Sequence, residues 1–81
     1  MKHTISHNQE VLNLFGDLLD CFYNVSVTRH GIKLQAEFSK SLIAKLELFF
    51  WAVFTLEDDF YRATIKRFDT KITFIIESEE R

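Results

Sequence analysis

At 81 residues the chain is one domain's worth, and its 47% hydrophobic content with nine Phe is globular rather than disordered in type. A domain of this size buries only about 60–65% of the surface its unfolded form exposes, so its stability is expected to be thin. Ten basic against twelve acidic residues leave a net charge of −2, which excludes a global field drawing the chain onto nucleic acid or an acidic membrane. The single Cys21 excludes an intrachain disulfide and a cysteine-based zinc site, and residues 1–8 lack the apolar region of a signal peptide, so a reducing cytoplasm is the expected setting. Without secretion, Asn24-Val25-Ser26 is a chance match to a glycosylation acceptor.

Val11, Leu12, Phe15, Leu18, Leu19 and Phe22 recur at three and four, which predicts a helix over 8–23. Ser6 or Asn8 can cap its first turn, and Glu10 suits the positive end of its dipole. Gly16 inside the helix points to a close packing contact.

A period of two follows. Tyr23, Val25 and Val27 alternate with polar residues, as do Ile32, Leu34, Ala36 and Phe38, and a turn at His30-Gly31 would pair Val27 with Leu34 and Val25 with Ala36. All the apolar residues of this hairpin then share one face.

Ser39 or Ser41 begins a second helix with Leu42, Ile43, Leu46, Phe49, Phe50 and Val53 on its core face. Each lies 31 residues after its counterpart in the first helix, which suggests one helix type used twice. From Tyr61 the period of two returns, with a turn at Asp69-Thr70 pairing Ile65 with Phe74 and Ala63 with Ile76. Two other readings compete: a third helix capped at Thr55 and running through Phe68, and a strand over 49–56.

The expected fold class is therefore α+β: one domain over 1–81, a two-layer arrangement of order helix-hairpin-helix-hairpin, with an antiparallel four-stranded sheet and two helices on one face. Residues 1–7 and 78–81 are expected to be flexible ends.

The run at 46–56 carries Glu47 as its only charge and holds four of the twelve aromatic residues. It is about half the length of a membrane span, so no membrane association is expected. Leu48, Trp51, Ala52 and Phe54 fall on the flanks and back of the second helix, where the first has Asp17, Asp20 and Cys21 in the places of Leu48, Trp51 and Ala52. A helix apolar nearly all round is covered on two sides, so these four are the candidate partner-binding residues.

A basic alternative lies on the last hairpin, where Arg62, Lys66 and Lys71 line up with Arg67 at the rim and Phe68 beside them. Phosphates could bind the charges and a base could stack on the ring. His3 and His7 have helical spacing for a shared metal but form too small a ligand set, so no metal is expected. Glu57-Asp58-Asp59 reads as a polar connection, and Cys21 as a buried or half-buried small residue rather than a nucleophile. With no acid, base and nucleophile set and no glycine-rich phosphate loop, neither an enzyme, nor a cofactor, nor a small-molecule substrate is expected.

No family resemblance is carried by these residues. The absence of proline and the surplus of aromatics resemble the composition of many short phage and mobile-element proteins, which act by masking a host protein's surface. The expected function is a small cytoplasmic protein-protein interaction module, an inhibitor or adaptor of that kind, forming a homodimer; nucleic-acid binding is the alternative.

Overall fold

The computed structural model describes residues 5–78. The chain forms α1 (Ile5–Asn13), a short 3-10 helix (Gly16–Cys21), β1 (Asn24–Thr28), β2 (Gly31–Ala36), α2 (Lys40–Phe50), β3 (Thr55–Glu57), β4 (Phe60–Arg67) and β5 (Thr70–Glu77). The α+β class is as expected, but the sheet has five strands in the order β1-β2-β5-β4-β3. It is mixed rather than antiparallel, because β2 and β5 run parallel, with Ile32 beside Ile72, Leu34 beside Phe74 and Ala36 beside Ile76. The chain leaves β2, crosses through α2, and enters the sheet at its far margin as β3. It then steps back through β4, and β5 fills the place beside β2.

Strand residues of one parity are buried: Ile32, Leu34 and Ala36 on β2, Ala63 on β4, Ile72, Phe74 and Ile76 on β5. Phe74 is the hub, with the rings of Phe15, Phe22, Phe50 and Phe54 at 6.1, 6.2, 6.0 and 6.4 Å. These four rings come from the two helical segments and from the connection after α2, so the helical layer covers one face of the sheet. The other face carries no helix.

The first helix is shorter than its periodicity predicts. Gly16 adopts φ 57°, a left-handed conformation that ends α-helical geometry, and a Cβ there would meet nothing within 4 Å. Its role is a change of direction, not a packing contact. Val11, Leu12, Phe15 and Phe22 are still buried, because the 3-10 helix carries the same side of the chain across the sheet. Ser6 and Asn8 lie inside α1 rather than capping it. The ends expected to be flexible fall partly outside the described residues; within them, 5–7 are helical and the Ser78 N–H donates to Asp59 O at 2.9 Å.

Both hairpins turn one residue earlier than expected. Arg29-His30 and Phe68-Asp69 form the loops, so Val25 faces Leu34 and Ala63 faces Phe74. Each register moves by two, which preserves parity, and every apolar residue keeps its expected face. Gly31 is needed just after its turn: at φ 144° it lies against the Lys71 carbonyl oxygen, which any Cβ would overlap.

In α2, Ser39 is the cap, accepting from Leu42 N–H at 3.2 Å. The helix stops at Phe50, three residues before Val53, because Trp51 takes the left-handed conformation (φ 57°) and its N–H bonds Leu46 O. The matched second half of the 31-residue offset is therefore absent, and so is a third helix over 55–68. Of the competing strand over 49–56, only the end materialises, in β3.

Candidate interaction surfaces

Beyond Trp51 the chain runs in a period of two. Trp51 points out at 81% exposure, Ala52 is buried at 5%, Val53 points out at 77%, and Phe54 turns in toward Phe74. Helical bookkeeping fails here, because it assigned Ala52 and Phe54 to an outer face and Val53 to the core. Two of the four predicted contact residues, Leu48 and Trp51, are exposed; the structure places the other two in or against the core.

The surplus apolar surface is nonetheless present, with different members. Phe49, expected in the core, is 67% exposed beside Leu48 on the last turn of α2. Leu14, Phe49 and Phe68 together line a cleft of about 240 Å³ whose floor is Val11, Phe15, Phe50 and Ile72. Leu48, Phe49, Trp51 and Val53 are each exposed over the six residues where α2 passes toward β3, a segment termed the crest. The alternation Trp51-Ala52-Val53-Phe54, taken as a strand-like signal, would have found Val53; nothing local marks Phe49.

The basic residues divide between the two faces. Arg62, Lys66 and Lys71 stand on the helix-free face, where Lys33 of β2 joins them, and Lys66 and Lys71 are directly opposed across β4 and β5. Arg62 lies 4.0 Å from Glu57, an exposed pair that adds little to stability. Arg67 belongs to the other face, where its guanidinium donates to Phe50 O at 2.5 Å. Phe68 is in the turn, beside the apolar cleft, and its carbonyl meets His7 Nε2 at 2.8 Å. The five residues therefore do not form one patch.

Cys21 is exposed, contrary to expectation, because the 3-10 helix turns it off the core. It lines an open groove of about 470 Å³ with Asp20, Glu37, Ser39, Ser41 and Lys45, and no histidine among the described residues lines that groove. Glu57-Asp58-Asp59 forms the β3–β4 turn, with Asp58 at φ 54°. His3 lies outside the described residues, and among the described residues no three His, Cys, Asp or Glu side chains gather as a metal would need. No helix among them is long and apolar enough to cross a membrane. Comparison with known proteins adds no identity: no family model, curated protein or solved structure matches this chain.

Proposed function

We propose that the protein is a small protein-interaction module that binds an apolar surface of another protein through Leu48, Phe49, Trp51 and Val53. The observation that carries this reading is Trp51, the most exposed large apolar side chain described, held at the end of α2 in a backbone conformation that a tryptophan rarely adopts. Large aromatic side chains in rigid positions are the usual anchors of protein contacts. Full burial of a Val, Leu or Phe side chain contributes about 1.5–3 kcal/mol, so covering the crest supplies several kcal/mol toward offsetting the entropy of association.

Occlusion is the corresponding action: the module covers a functional surface of a larger protein and needs no chemistry of its own. A reducing compartment such as the cytoplasm suits its single free, exposed thiol. The test is recovery of bound proteins from the native host with wild type beside Trp51→Glu. A specific protein held by wild type and lost by the variant, with circular dichroism unchanged, is the expected result; equal recovery by both removes the reading.

A further inference from the structure

The two margins of the sheet are built in opposite ways. β3 offers three residues, and Glu57, Asp58 and Asp59 stand at its end; short length and charge discourage another strand from adding there. β1 has five residues, Asn24-Val25-Ser26-Val27-Thr28, with no charge and no proline, and four of the five are exposed. Among the described residues no strand lies beyond it in the sheet.

Hydrogen-bond parity decides what that margin presents. The hairpin closes on Thr28 and Gly31 across a two-residue loop, so Thr28↔Gly31, Ser26↔Lys33 and Asn24↔Gln35 are the bonded pairs of the ladder. The N–H and C=O groups of Val25 and Val27 consequently point away from β2, off the edge of the sheet. The strand is also symmetric in kind about Ser26: a valine on either side, then a polar residue on either side.

We propose that β1 is a self-association edge, and that two copies pair β1 against β1 antiparallel about a two-fold axis at Ser26. In that register Val25 of one copy faces the partner's Val27, and both outward-pointing residues exchange their N–H···O bonds. Each sheet then continues into the next. The valines of both copies form one stripe on the helix-covered side, while Ser26 meets its own counterpart and Asn24 meets the partner's Thr28 on the open side. An isologous contact needs a self-complementary patch, and the symmetry about Ser26 provides one. β1 is the margin opposite β3, into which the chain runs from Trp51 and Val53, so the contact leaves those two side chains free for a different protein.

The test is sedimentation over a wide concentration range together with amide hydrogen exchange. Wild type is expected to pass from the 9.6 kDa chain mass to twice that value as concentration rises. The Val25 and Val27 amides should gain protection in step with it, while those of Asn24, Ser26 and Thr28 are protected throughout. Val25→Lys, which places a charge on the seam without touching a β1–β2 bond, should weaken the dimer at least tenfold and leave the exchange of β2 unchanged. Trp51→Glu should dimerise as wild type does. A monomer at every concentration overturns the proposal, as does a dimer that survives Val25→Lys but is lost in Trp51→Glu.

Discussion

Asn8 and Thr70, 62 residues apart in sequence, are joined by a 2.9 Å hydrogen bond in which the threonine hydroxyl donates to the amide oxygen, and both side chains are almost wholly buried. The same amide donates through Nδ2 to Thr28 O at 2.6 Å, so one α1 side chain bolts together the ends of both hairpins. Asn8→Ala would leave the buried Thr70 hydroxyl with only its 3.5 Å contact to Phe68 O, and Thr28 O with only its ladder partner Gly31. The expected loss is about 1–2 kcal/mol in denaturant unfolding. Asn8→Asp keeps the acceptor but loses the donor to Thr28 O, and should also destabilise the fold.

Gly31 and Gly16 both have positive φ, yet they should respond differently to alanine. At Gly16 the new methyl meets open space, and the left-handed conformation alone costs about 1 kcal/mol. At Gly31 the methyl collides with backbone at Lys71, where β2 and β5 begin their parallel pairing, and more than about 2 kcal/mol should be lost. Paired thermal melts of the two variants check the order.

Trp51→Gly separates stability from binding. Glycine is at ease in the left-handed conformation at a helix end, so the variant should be more stable than wild type by about 1 kcal/mol. It should nevertheless fail to retain the protein captured through the crest. A stabilised variant that still binds would show that the indole is not a contact.

Lys66 and Lys71 oppose each other across β4 and β5 as like charges, which is unfavourable. Lys66→Glu turns repulsion into attraction and should raise stability by about 0.5–1 kcal/mol at low salt, with the gain shrinking as salt is added. Unfolding curves at two ionic strengths measure it. The same variant bears on the nucleic-acid alternative, for which it should abolish any oligonucleotide binding seen at low salt.

The period of two was enough to place Val27, Ile32, Leu34, Ala63, Ile65, Ile72 and Phe74 on their proper face, because a shift of two residues leaves parity intact. The turn residues were harder to read. Glycine's ease with positive φ drew the first turn onto Gly31, whereas the loop is Arg29-His30; in the second, Phe68 and Asp69 adopt φ 53° and 63° with no glycine present. A two-residue loop closed by Arg67 and Thr70 demands that conformation at both positions, whatever residues fill them. The β2–β5 pairing joins residues far apart in sequence, and no local pattern reports such a contact. Beyond α2 the error had one origin, Trp51: a left-handed tryptophan stops the helix early, and Ala52, Val53 and Phe54 changed sides, whereas Phe49 is exposed within the helix itself.

β5 follows the other four described strands in the sequence and is also the middle strand of the sheet. Without it, β2 has no second strand beside it and the apolar sides of α1 and α2 have no Phe74 to pack around. The apolar surface of everything before it is thus completed only when β5 takes its place between β2 and β4. A chain cut short before β5 would therefore keep its helices and hairpins without the strand that joins them.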